Sequence, residues 1–245
     1  MKTKILAIFA CLLWGSAFAG AKIGFEYTTP LHLSGMRFML AGLLLIPFLI
    51  YQKIDWISNL KEWRYMLLFG FLQTFIQYGF FFMGLNKVPA AISAIIIGGG
   101  PFFVAVMAHF TMGNDRMSFR KILAIVLGMA GIVFISFAKG GSIHTDASFY
   151  YGVILLIISN IVGASTNIIV AKNRNKVSPV MLTAFANFSG GLILYIVSFF
   201  TEDWYVKPYS LEFYIAWIWL ALIPAVGFSI WYSLLKRPEV KVSEL

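Results

Sequence analysis

In this chain of 245 residues, 60% are hydrophobic, only 12% are charged and mean hydropathy is +0.84, a balance that excludes a soluble globular domain of this length. The net charge of +9 invites a nucleic-acid partner, but the basic residues are scattered over many short stretches and form no stripe, arm or basic helix, so nucleic acid is excluded. The single cysteine, Cys11, lies in an apolar run and excludes a disulfide framework or a cysteine metal site.

Eight apolar segments are predicted, at 5–21, 33–51, 65–85, 90–112, 121–138, 149–171, 179–200 and 211–235. Each is near the roughly 20 residues that a helix needs to cross about 30 Å of hydrocarbon. The runs are continuously apolar and lack the period-two alternation of an outer-membrane strand, so helices are expected. The fold class is an all-α, multi-pass membrane bundle.

The first segment has features of a secretory signal: Lys2 and Lys4, an apolar run, and Ala17-Phe18-Ala19. Trp14-Gly15 falls where a cleavable peptide would end its apolar region, and the segment recurs later in the chain, so a retained helix is expected. The second segment holds Arg37 about two turns in, roughly 10 Å from the helix end, where a guanidinium costs a few kcal/mol unless it finds partners. It either clamps an acidic substrate group or snorkels toward Glu26 and helix-end carbonyls.

The third segment carries Gln73 and Gln77 one helical turn apart, with Tyr78 and then Phe80, Phe81 and Phe82 following. In the fourth, Gly98-Gly99-Gly100-Pro101 predicts a kink or hinge, because proline removes a donor and clashes with the carbonyl of Ile97. His109 lies near the end of that segment and is read as an interfacial residue. The sixth carries Ser159, Asn160, Gly163 and Asn167, of which 160, 163 and 167 share one stripe. These amides serve either a cavity for a polar metabolite or contact between helices. Trp14, Arg37, Gln73, Gln77, Asn160 and Asn167 are the candidate cavity residues, and Gly98 to Pro101 the candidate hinge.

The basic residues sort by connection. Counting alternate connections, one side collects Lys2, Lys4, Lys53, Lys61, Arg64, Arg116, Arg120, Lys121, Lys172, Arg174, Lys176, Lys236, Arg237 and Lys241, and the other only Lys22, Lys87, Lys139 and Lys207. The ten acidic residues divide evenly, so the bias belongs to Lys and Arg alone and places both ends in the cytoplasm.

The chain also repeats itself. Ala21-Lys22 matches Ala171-Lys172, Pro30 matches Pro179, Gly42 matches Gly191, and Leu85 to Pro89 matches Leu234 to Pro238, all at an offset of 149 or 150. That offset contains five segments, an odd number, so the second copy enters the membrane from the opposite face, as in transporters built from inverted halves. The first repeat spans residues 1–140 with helices one to five, and the second 147–245 with helices six to eight. The pattern predicts two further helices, roughly 45 residues, beyond Leu245.

Trp14-Gly15-Ser16-Ala17-Phe18, Arg37-Phe38, Pro89-Ala90-Ala91 and Pro101, in this helix order and with a five-helix repeat, resemble the EamA family of the drug/metabolite transporter superfamily. The resemblance covers essentially the whole chain. It implies ten helices in two inverted halves, a central cavity, and export or exchange of a small metabolite across a bacterial inner membrane. It names no substrate.

The expected function is secondary transport of a small polar metabolite, an amino acid or related compound, outward across that membrane by alternating access. Apart from Glu212 at the edge of the last segment, no acidic residue lies within a segment, so the coupling ion is left open. A non-transporting eight-helix assembly protein is the alternative, and a membrane enzyme a weaker one. His32, His109 and His144 are scattered and no nucleophile-base or metal motif is present, so no catalytic site, cofactor or metal is expected. The substrate and the lipid bilayer are the partners, and a homodimer is the one protein partnership left open.

Overall fold

The computed structural model describes residues 2–113, 146–203 and 207–237, with seven isolated positions between 118 and 130. Seven of its helices are long and apolar enough to cross a membrane. They are α1 (Lys2–Phe25), α2 (Pro30–Tyr51), α3 (Trp63–Lys87), α4 (Ala90–Thr111), α5 (Ala147–Lys172), α6 (Pro179–Thr201) and α7 (Leu211–Leu235). The chain is a multi-pass helical membrane protein. Apart from five isolated positions, the expected segment 121–138 lies outside the described residues.

Local chemistry sets most helix starts. Asp146, Ser178 and Ser210 cap α5, α6 and α7 by accepting from the N–H groups of Phe149, Met181 and Phe213 at 2.8, 3.1 and 3.2 Å. Proline opens α2 and α6, where its missing N–H costs nothing. Thr29, the cap residue of α2, makes no side-chain bond. Instead the Glu202 carboxylate, just past α6, accepts from Leu31 N–H at 2.9 Å and His32 N–H at 3.2 Å. A charge at a helix N-terminus contributes about 1 kcal/mol. Glu202→Ala is therefore expected to lower the melting midpoint of the purified protein by a few degrees while leaving helix content unchanged.

Three of the membrane helices depart from regular α-helix along their length, and a fourth carries an internal proline. In α2 the regular helix gives way at Leu45, ahead of Pro47. Residues Phe71–Gln77 of α3 form a π-helical stretch. In α4 the break falls at Gly99, between Ala90–Gly98 and Gly100–Thr111, within the expected hinge. Pro224 sits inside α7 and removes the donor that the carbonyl of Leu220 would otherwise meet.

The most extensive helix pairings are α2 with α6, α1 with α7, and α3 with α5. Small residues allow the first of these. A Cβ on Gly42 would lie 2.7 Å from both the carbonyl oxygen of Ala184 and Cβ of Phe188, and one on Gly191 would lie 2.7 Å from the Met39 nitrogen. Close backbone approach at small residues is how helices associate where lipid offers no hydrophobic drive. Outward faces stay apolar: Ile5, Ile8 and Leu12 of α1 are exposed at helical spacing.

The connections gather at two ends. At one, Ser178 N–H donates to Asn59 Oδ1 at 2.7 Å, Arg174 Nη1 to the Arg237 carbonyl at 3.0 Å, and Arg237 Nη1 to Thr3 Oγ1 at 2.8 Å. At the other, Lys207 N–H donates to the Tyr27 carbonyl at 3.1 Å and Lys87 Nζ to Ser148 Oγ at 3.5 Å. The alternate connections that the charge bias groups together thus meet in space.

Candidate functional site

Arg37 is the costliest residue in the bundle. It stands on α2, 1% exposed, and among the described residues no ion pair joins it to Glu26. Its guanidinium carbon lies 4.5 Å from the ring centroid of Phe38, 5.0 Å from that of Phe82 and 5.6 Å from that of Tyr78. Nε and Nη1 are buried without a hydrogen-bond partner, and among the described residues no carboxylate pairs with the group. Ring faces return about 0.5 to 2 kcal/mol, short of the several kcal/mol needed to bury a cation.

From that cation a wall of rings crosses the bundle. Tyr78 contacts Phe38 at 4.7 Å and Phe228 of α7 at 5.9 Å between centroids. Phe228 stacks on Tyr232 at 5.4 Å and meets Trp14 of α1 at 5.4 Å, and Trp14 in turn meets Trp231 edge-on at 5.3 Å. Trp14 Nε1 is buried and unpartnered, as is the Tyr232 hydroxyl. Tyr232 also lines a small crevice with Tyr65, Arg174 and Lys236 at the end of the bundle that carries Asn59 and Ser178.

Beside the rings runs a polar seam between α3 and α5. Thr166 Oγ1 donates to Gln73 Oε1 at 2.6 Å, and Ser159 Oγ to the Gln77 carbonyl at 3.0 Å. Asn160 Nδ2 donates to the Ile96 carbonyl at 2.6 Å, in the turn of α4 just before its break. Trp231 Nε1 donates to Asn167 Oδ1 at 3.0 Å, joining α7 to α5. Gln77 Oε1 is buried without a partner, and the missing side chain of Gly163 makes room for it, since a Cβ there would lie 2.6 Å from Gln77 Nε2. In this state Gln73, Asn160 and Asn167 close contacts between helices, and Gln77 keeps a free acceptor.

The structure thus brings Trp14 and Arg37 to one ring wall, and Gln73, Gln77, Asn160 and Asn167 to the seam beside it. Sequence reasoning missed Phe228, Trp231 and Tyr232, although their spacing of three and four places them on one face of α7. It also missed Asn187 of α6, which is buried with Nδ2 unpartnered. An open groove of about 520 Å³ lies away from these groups, between α1 and α7, lined by Ser16, Gly20, Ile215 and Trp219.

The model of the EamA-like transporter family matches residues 1–137, more than half of the chain. The chain belongs to the EamA-like transporter family. This EamA-like transporter is 25% identical over 239 residues to the uncharacterized transporter YvbV of Bacillus subtilis (strain 168), covering 97% of this chain and 76% of that one. It is 26% identical over 223 residues to the uncharacterized inner membrane transporter YedA of Escherichia coli (strain K12), covering 90% and 70%. To a probable amino-acid metabolite efflux pump of the same strain it is 29% identical over 133 residues, covering 54% of this chain and 42% of that protein. A protein of known crystal structure shares the fold with a TM-score of 0.81 at 18% identity, over 96% of this chain and 79% of that one. The relatives are transporters by name, and the membrane-spanning architecture agrees with them.

Proposed function

We propose that this EamA-like transporter moves a small polar metabolite, an amino acid or related compound, outward across the bacterial inner membrane by alternating access of two inverted halves. The halves are residues 1–140 and 147–245, and the N-terminus faces the cytoplasm, where the positive-inside rule puts the basic connections.

One observation carries this reading: the helix contacts exchange under the repeat offset. Shifting by 149 turns α1 into α5, α2 into α6 and α3 into α7. The α2–α6 pairing maps onto itself, α1–α7 maps onto α5–α3, and the contact of α3 with α6 maps onto that of α7 with α2. At residue level, Gly42 against Phe188 becomes Gly191 against Met39, and both approaches are present. One irregularity corresponds as well, since Pro224 of α7 falls at the position of the π-helical stretch of α3 under the same offset. Halves related in this way can trade conformations and so open a central site to either face in turn. Outward direction draws on the relative named as an efflux pump.

Cells expressing the chain and preloaded with radiolabelled amino acids are expected to lose at least one label faster than cells carrying an empty vector. Equal retention for every amino acid tested would sink the efflux reading and favour a non-transporting assembly protein.

The break in α4 is read as the hinge. Gly98 to Pro101 divides the helix beside Asn160, whose bond to Ile96 pins the first half. Gly99 is buried at this break, so a leucine there must displace its neighbours. Gly99→Leu is expected to slow transport about tenfold or more with the yield of folded protein retained. Unchanged rates would leave the break a static kink.

A further inference from the structure

We infer that the central site recognises its substrate by a carboxylate, which Arg37 holds while the apolar body of the molecule lies along the rings of Tyr78, Phe82, Phe228 and Trp14. The inference rests on the reading of this core as the transport site and adds the chemical class of what it takes.

The sign of the charge follows from the balance around Arg37. Arg37 is 1% exposed, has Nε and Nη1 buried without an acceptor, and lies over the rings of Phe38, Phe82 and Tyr78. No acidic side chain stands within the seven helices except Glu212 in the first turn of α7, far along the chain from the ring wall. Among the described residues, then, the core carries a cation with no carboxylate to neutralise it. A ligand anion completes the site, and charge-assisted bonds to a carboxylate are the strong kind. A cationic or neutral ligand would leave the burial cost standing.

The other unpartnered groups agree in kind. Trp14 Nε1 and Asn187 Nδ2 are also buried N–H donors without an acceptor. A carboxylate offers about four lone-pair sites and can meet more than one such donor. Tyr232, which stacks on Phe228 of the ring wall, also lines a small crevice that holds Arg174 and Lys236. The body of the ligand is apolar on the same evidence: rings surround the cation, and the amides of the seam are mostly occupied by other helices.

Two probes that differ only in the charged group test this, N-acetyl-leucine and N-acetyl-leucinamide. Binding is measured by tryptophan fluorescence on the full chain in phosphatidylcholine nanodiscs, and uptake in phosphatidylcholine proteoliposomes. The wild type is expected to bind the acid about tenfold or more tightly than the amide. Arg37→Gln should erase that preference without abolishing the weaker binding of the amide. Equal binding of the two probes by the wild type overturns the proposal without any need for the variant, as does binding of neither. A preference that survives in Arg37→Gln overturns it as well. If the acid binds with the expected preference but neither probe crosses the membrane, carboxylate recognition stands and the transport reading falls. If both cross at equal rates, transport stands and carboxylate recognition falls.

Discussion

Arg37→Met is expected to stabilise the protein and to abolish its transport. Methionine fills much the same volume, keeps contact with Phe38, Tyr78 and Phe82, and removes a buried cation that has neither a counter-ion nor acceptors for Nε and Nη1. Replacing buried ionic groups by well-packed apolar side chains is often stabilising by about 1 to 4 kcal/mol, and the rings recover only a fraction of that in cation–π attraction. The melting midpoint in detergent should rise by several degrees, while uptake of the carboxylate probe falls to the level of empty liposomes. A fall in the midpoint of comparable size would show that Arg37 holds the fold together. Its burial would then be structural and not a strained feature kept for function.

The second large effect is expected at the crossing of α2 and α6. Gly42→Val and Gly191→Val each drive a side chain into backbone atoms of the opposite helix, Ala184 and Phe188 in one case and Phe38 and Met39 in the other. Backbone cannot step aside as a side-chain terminus can, so the helices must separate and lose packing along much of the most extensive pairing in the bundle. A cost of about 3 kcal/mol or more is expected for each, seen as loss of the monodisperse peak in size-exclusion chromatography. The two should cost nearly the same, because under the proposed inverted relation they are one contact seen from its two sides. A severe effect at Gly42 beside a mild one at Gly191 would count against the inverted relation.

Much of the architecture was legible because a membrane simplifies the code. Apolar runs long enough to cross it mark α1 to α7 within a few residues, and short polar caps such as Asp146, Ser178 and Ser210 mark where helices begin. Arg37 could be read as inward-facing because lipid would not tolerate it. What stayed hidden was what depends on neighbours distant in the chain. Nothing near Pro30 announces that Glu202 will cap α2, since the carboxylate arrives from the end of α6. The π-helical stretch of α3 contains no proline or glycine to betray it, for Gly70 precedes it and Gly79 follows. The division of labour among the amides was equally hidden. Gln73, Asn160 and Asn167 have the same polarity as Gln77, and only the partners brought by α4, α5 and α7 show which of them are already bonded. In α7 the aromatic face was present in the sequence, but with 24 phenylalanines, 11 tyrosines and 7 tryptophans in the chain no one set stood out.

Alternating access at the central site can be tested directly with one reporter. Cys11 is the only cysteine of the chain and lies on the exposed face of α1, so Cys11→Ser gives a background free of thiols. In that background Gln77→Cys places a thiol where the seam meets the ring wall, and its reaction with a membrane-impermeant maleimide is measured from each face of right-side-out and inverted vesicles. The account predicts labelling from both faces, with the balance between them shifting when the carboxylate probe is added. Labelling confined to one face and indifferent to the probe, or absent from both, would contradict it.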